Sequence, residues 1–272
     1  MSMKTAIITG GTSGIGLSIV KHLSNNNWNV YFIGTNANKG VTIEQKLSKT
    51  SKGSIKFYLL DLSNLNKVRK FADTFLKRHQ SLELLANIAG VLLPKREVSE
   101  NGTEKNFTIS YLSAYILSNM LSPLLKEGKN SRIVNVSAAP KIALQSELDF
   151  DNLNGNKNYN SFKASGNAIH AKTVLTQILS EKFMEDNIDV NAFDPGVVNS
   201  KLTRKMPIIL RSLMNLFFLF ASKESKIGIH VCTSENINGI TGKLFSRKEF
   251  IPLIFDSTYK ADLLNHTKKY LY

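Results

Sequence analysis

Thr9-Gly10-Gly11-Thr12-Ser13-Gly14-Ile15-Gly16 follows the apolar run Thr5-Ala6-Ile7-Ile8 and precedes Leu17, Ile19, Val20 and Leu23, which recur at helical spacing. So apolar a run has the composition of a strand buried on both faces, and the pattern behind the glycines is that of an amphipathic helix. The eight residues are therefore a strand-to-helix loop. Glycines there let the backbone turn tightly and approach a ligand, while the unpaired N–H groups and dipole of the helix start favour an anion. The spacing Gly-x-x-x-Gly-x-Gly is one residue longer between its first two glycines than the usual dinucleotide fingerprint. Its strand and helix context distinguishes it from an ordinary tight turn and points to a nucleotide diphosphate.

Outward from this loop, strand-like runs recur at Val30–Ile33, Ile55–Leu60, Leu82–Ala86, Ile133–Val136 and Ile188–Phe193. Helical patterns lie between them, most clearly over Leu65–Arg78, Glu104–Lys126 and Ala164–Met184. A repeated β-α order requires right-handed crossovers and a parallel sheet with helices on both faces. The expectation is an α/β fold of the Rossmann, doubly wound type, with about seven parallel strands. Ligands of such sheets bind at the carboxyl ends of the strands, where Asn36, Asp61, Asn87, Ser137 and Pro195 fall.

The chain of 272 residues contains no Pro- or Gly-rich linker and no internal repeat, so a single domain over 1–272 is expected. Its one cysteine, Cys232, excludes an intramolecular disulfide, cannot build a metal cluster and reads as a small buried side chain; no metal is expected. The opening Met-Ser-Met-Lys runs directly into a strand with no signal peptide, which with the cysteine usage predicts a cytoplasmic protein. The net charge of +14 is spread as scattered Lys and Arg, without the aromatic interleaving of a nucleic-acid reader. Solvated faces, with attraction to an anionic partner, are the expectation, and nucleic acid is not. Residues 206–221 are the most apolar stretch but are too short and interrupted for a membrane span. They read as part of a substrate lid around 200–225 or as a core helix, with membrane contact the less favoured alternative.

The glycine loop, Asp61-Leu62, Asn87-Ile88-Ala89-Gly90, Arg132-Ile133-Val134-Asn135-Val136-Ser137 and Asp194-Pro195-Gly196 come in an order that resembles the short-chain dehydrogenase/reductase superfamily. Glu104-Lys105-Asn106-Phe107 and Gly239-Ile240-Thr241-Gly242-Lys243-Leu244-Phe245 resemble its retinol-dehydrogenase-like branch. The resemblance implies an oxidoreductase that moves a hydride between NAD or NADP and a carbonyl or alcohol. It implies cofactor contacts at Gly10, Thr12, Ser13, Gly14, Ile15, Gly16, Thr35, Asn36, Asp61, Leu62, Asn87, Ala89, Gly90, Pro195 and Gly196. The sequence Gly34-Thr35-Asn36 offers no carboxylate for a ribose 2′-hydroxyl, which leans toward NADP. The substrate is open among small-molecule, peptide and carrier-bound groups, anionic ones included, and a homo-oligomer is compatible with the resemblance.

The active-site stretch departs from the family. Relatives read Tyr-x-x-Trp-x-Ala-Tyr-x-x-Ser-Lys-x-Ala-Asn, and this chain reads Tyr159-Asn160-Ser161-Phe162-Lys163-Ala164-Ser165-Gly166-Asn167-Ala168-Ile169-His170-Ala171-Lys172. Without a gap, Ser165 stands at the proton-transferring tyrosine and Ile169 at the lysine that lowers its pKa. Ala138 replaces the serine that meets the substrate oxygen, and Ser110 replaces the asparagine of the proton relay. Two readings follow: an oxidoreductase of non-standard chemistry, or a catalytically inactive cofactor-binding pseudoenzyme acting as a binding, regulatory or scaffold subunit. A rescue is written into the sequence, since Tyr159 and Lys163 have Tyr-x-x-x-Lys spacing and would share a helical face if the helix began six residues early. Six residues of helix is about 9 Å, so the segment would have to shift as a whole. His170 and Lys172 read as packing or surface residues.

Overall fold

The computed structural model describes residues 3–196, 224–247 and 249–271. The apolar 206–221 segment, and nearly all of the expected lid around 200–225, lie outside the described residues.

The strands are β1 (Thr5–Thr9), β2 (Asn29–Gly34), β3 (Ile55–Leu59), β4 (Leu84–Asn87), β5 (Arg132–Val136), β6 (Asp189–Phe193), β7 (Lys243–Ser246) and β8 (Glu249–Pro252). They form one sheet in the order β3-β2-β1-β4-β5-β6-β7-β8. Every neighbouring pair is parallel except β7 and β8, which are antiparallel. The doubly wound expectation holds, with an eighth strand that folds back along β7. The strand side chains alternate between two cores. Ile7, Ile33, Ile133 and Val190 enter one with α3 (Leu65–Arg78), α5 (Ser113–Met120) and α8 (Ser161–Lys182). Ala6, Ile8, Phe32 and Val134 enter the other with α1 (Gly14–Asn25), α2 (Ala37–Ser48) and α9 (Lys226–Thr233).

The pattern over 104–126 resolves into several pieces. Lys105–Phe107 forms a short turn, α4, and Thr108–Leu112 is a π-helical turn leading into α5. A break at Leu121 starts α6 (Ser122–Glu127) with Pro123 in its first turn, where the missing N–H has no partner to lose. The remaining helices are α7 (Pro140–Gln145) and α10 (Ser257–Thr267). No helix among the described residues is long and apolar enough to cross a membrane.

A buried polar chain crosses the middle of the sheet. Asn87 Nδ2 donates to Asn135 Oδ1 at 2.9 Å, and Asn135 Nδ2 donates to Thr176 Oγ1 on α8 at 3.0 Å. Asn135 is fully buried, so its removal leaves partners that water does not rescue. Asn135→Ala should lower the unfolding free energy by about 1–3 kcal/mol in urea titration, and an unchanged midpoint would deny the chain a structural role.

Candidate functional site

The chain runs outward from β1 through β2 to β3, then returns to lay β4 on the other side of β1. At this reversal the loops after β1 and β4 leave in opposite directions and open a crevice. Thr9 Oγ1 ties its two lips together by accepting the N–H groups of Ile88 at 2.9 Å and Ala89 at 3.0 Å. Above it lies a cleft of about 810 Å³, walled largely by apolar side chains such as Ile33, Leu60, Ile88, Val91, Leu92 and Ile109.

The glycine loop forms one rim. Gly10 and Gly14 have φ of +69° and +51°, a left-handed conformation that side-chain-bearing residues rarely adopt. At Gly16 a Cβ would collide with the Gly10 carbonyl oxygen, so the turn from β1 into α1 closes only without a side chain. Ser13, the N-cap of α1, makes no side-chain cap bond, and no acid occupies the first helical turn. The rim therefore presents close backbone, helix-start N–H groups and no negative charge, which fits a diphosphate.

All of the sequence-predicted cofactor residues line this cleft except Thr12, Asn36 and Asn87. Thr12 packs over Gly34, leaving no room there for a Cβ. Asn36 caps α2, its Oδ1 accepting the Lys39 N–H at 2.9 Å. Asn87 is buried behind the wall, where its amide also donates to Ser118 Oγ at 3.3 Å. Asp61 Oδ1 accepts both the N–H and the hydroxyl of Ser63, and Asp194 accepts from the Gly196 N–H and the Ser246 hydroxyl. Ser110, Ala138, Ser165 and Ile169 stand on the opposite wall of the same cleft. The π-helical turn presents Ser110, β5 leads to Ala138, and one face of α8 carries Ser165 and Ile169 four residues apart.

A family model described as short chain dehydrogenase matches residues 4–208. Retinol dehydrogenase 12 of Mus musculus is 29% identical over 246 residues, covering 89% of this chain and 77% of the relative. Polyprenol dehydrogenase of Danio rerio is 31% identical over 250 residues, covering 88% of this chain and 76% of the relative. The chain belongs to the short-chain dehydrogenase/reductase superfamily, in its retinol-dehydrogenase-like branch. By family it is an oxidoreductase. A short chain dehydrogenase from Burkholderia cenocepacia, solved in complex with NADP, superposes with a TM-score of 0.69 at 16% identity, over 89% of this chain and 95% of that one. That likeness shows the shared fold.

The structure does not bring Tyr159 and Lys163 to the dehydrogenase cleft. Helix α8 begins at Ser161, capped by Asn160, so Tyr159 lies before the helix and Lys163 falls in its first turn. Both line a separate hollow of about 260 Å³ with Glu104 and Asp149. The Tyr159 hydroxyl donates to the Leu93 carbonyl at 3.2 Å and accepts from Asn106 Nδ2 at 3.0 Å. Burial, reinforced by the Glu104 carboxylate, raises its pKa, the wrong direction for a proton-transferring phenol at neutral pH.

Two charged cleft residues escape the sequence reading. Arg247, after β7, lines it from a left-handed φ of +54°. Lys172 reads as a packing or surface residue yet is 1% exposed and lines the cleft. The available signal was spacing, because Lys172 follows Ser165 by seven and Ile169 by three residues, which puts all three on one helical face. Ionisable groups among the described lining residues are Asp61, Asp194, Lys172 and Arg247.

His170, on the same helix, turns away from the cleft. Its Nδ1 lies 2.8 Å from the Ala143 carbonyl and its Nε2 2.9 Å from the Tyr259 hydroxyl. A carbonyl only accepts, so Nδ1 carries the proton and Nε2 accepts from Tyr259. Desolvation is the first cause lowering its pKa, so the folded protein keeps this imidazole neutral. The unfolded chain then binds the extra proton, and the stability contribution is present above the ordinary imidazole value of about 6.5 and lost as pH falls below it. Thermal or urea denaturation should show stability dropping below that pH, and His170→Asn should flatten part of the drop; an identical pH slope in the variant would remove His170 as its source.

Proposed function

We propose that this chain binds a nicotinamide dinucleotide in the cleft at the β1–β4 reversal, with NADP preferred over NAD. Hydride transfer there, between the cofactor and a carbonyl or alcohol, runs outside the standard acid–base mechanism of the superfamily. The observation that carries this reading is the pairing of an intact glycine rim with a facing wall of Ser110, Ala138, Ser165 and Ile169. The backbone of Gly10 and of Ser13 to Gly16 would hold the diphosphate, and Asp61 would meet the adenine. The bound cofactor would supply a hydride to, or take one from, the substrate carbon. The lack of a carboxylate after β2 supports the NADP preference, and so does Arg247 on the same cleft.

A carbonyl that receives a hydride becomes an alkoxide and needs a proton. A serine hydroxyl has far too high a pKa to replace an activated phenol, and Ile169 brings no charge to lower it. Losing one such acid–base group costs roughly a hundred- to ten-thousandfold in rate. The apolar walls suit an apolar carbonyl or alcohol, whether free or at the end of a larger group. The simultaneous replacement of four side chains on one wall favours a second reading, a cofactor-binding regulatory or scaffold subunit that transfers no hydride.

Titration of the purified protein with NADPH and NADH, followed by a hydride-transfer screen on the complex, tests both. Binding of either nucleotide with slow or undetectable turnover is expected; no binding to either would sink both readings, and rapid turnover would sink the argument from the missing acid. Ser165→Tyr combined with Ile169→Lys should raise turnover by roughly a hundredfold or more, while Tyr159→Phe should leave it unchanged.

A further inference from the structure

Among the described residues, the charged side chains buried below a tenth exposure are Glu83, Glu104, Arg132 and Lys172. The first three each make at least two side-chain hydrogen bonds, although the Arg132 Nε has no partner among these residues. Glu83 accepts from the Thr5 N–H and the Ser81 hydroxyl. Glu104 accepts from the Phe107 N–H and the Asn106 amide. Arg132 donates to the carbonyls of Val231 and Ser234 and to Asn238 Oδ1. Lys172 is the exception: its Nζ has one hydrogen bond among the described residues, to the Asn87 carbonyl at 3.3 Å, and no ion pair there. An ammonium has three N–H donors, so two are left over on a group that is nearly sealed from bulk water and yet borders the cleft.

We propose that Lys172 is a cofactor-binding residue of this cleft, whose amine takes up a proton as the dinucleotide enters and then holds an oxygen of the ligand. The proposal rests on the reading that the cleft binds a nicotinamide dinucleotide. Its basis is the missing counter-charge. A buried cation with one neutral acceptor is costly, and the charge that offsets it must come either from a neighbour or from a ligand. No described neighbour provides it. Asp61 and Asp194 share the cleft but are held by Ser63 and by Gly196 and Ser246, and Arg247 is a like charge. On the elements packed against α8, Tyr111 bonds Thr267, Tyr259 bonds His170, Asp189 meets the Gly239 N–H and Lys105 pairs with Glu97. A dinucleotide supplies both a negative diphosphate and ribose hydroxyl acceptors.

Burial without compensation holds the amine down at about 7, so in the free protein it is divided between its charged and neutral forms near neutral pH. An anionic ligand favours the charged form and raises that value in the complex. Affinity is therefore full below about pH 7 and falls as pH rises above it, until the pKa of the complex is reached. One linked proton limits the fall to about tenfold in Kd per pH unit.

The experiment is titration of the full chain with NADH and NADPH between pH 6 and 9. Calorimetry with NADH at pH 7.5 in buffers of different ionisation enthalpy counts the protons, because NADH lacks the titrating 2′-phosphate. The expected result is Kd rising with pH and net uptake of up to one proton on binding. Lys172→Met should bind weakly at every pH, and Lys172→Arg should bind tightly with little pH dependence, a pattern that loss of packing alone would not produce. Binding that is independent of pH, without proton uptake, in the wild type overturns the role of Lys172 and leaves the cleft reading standing. No binding at any pH overturns the cleft reading itself. Should the variants fail to fold, the wild-type proton count decides.

Discussion

Thr9 Oγ1 sits where the sheet changes direction, and its two hydrogen bonds to Ile88 and Ala89 hold together strand ends whose loops would otherwise diverge. The loop after β1 is then pressed against the loop after β4, so closely that a Cβ on Gly10 would lie 3.1 Å from the Ala89 Cα. From this point the position of the whole cleft propagates sideways. Asn87 ends β4 and bonds Asn135 in β5, Asn135 bonds Thr176 in α8, and α8 carries Ser165, Ile169 and Lys172 along the opposite wall. The rim is thus set by backbone sterics and the wall by a buried polar relay. The two have different tolerances to substitution.

That difference separates what the sequence makes legible from what it leaves hidden. The rim could be read directly, because a strand, a Gly-x-x-x-Gly-x-Gly loop and an amphipathic helix are local patterns whose geometry permits few alternatives. The wall could be read only through its register: with no gap from Asp149 to Asp194, Ser165 and Ile169 fall on α8 where the cleft needs them. Tyr159 and Lys163 show the limit of spacing as evidence. Their four-residue separation is the same in a helix or across a helix start, and only the Asn160 cap shows which one applies. The antiparallel β8 gave no sequence signal, being four residues long with three of them solvent-exposed. Lys172 was hidden for the opposite reason, since a lysine in a polar helix looks like surface until the tertiary fold covers it.

The chemistry of the cleft follows from the same division. Adding a side chain at Gly16 of the rim drives its Cβ into the Gly10 carbonyl, and that backbone cannot yield without undoing the turn. Replacing a phenol by a hydroxymethyl or an amine by a branched alkyl group on the wall creates no such collision, because the cleft is open and its remaining lining is apolar. The fold therefore retains the capacity to cradle a dinucleotide independently of the capacity to move a proton. The positive charge on α8 has not vanished; it stands three residues beyond Ile169 at Lys172, recessed beside Asn87 on the same helical face as Ser165. On the function proposed above, this wall would serve to hold the cofactor, and any hydride chemistry would depend on a proton source other than Ser165 and Ile169.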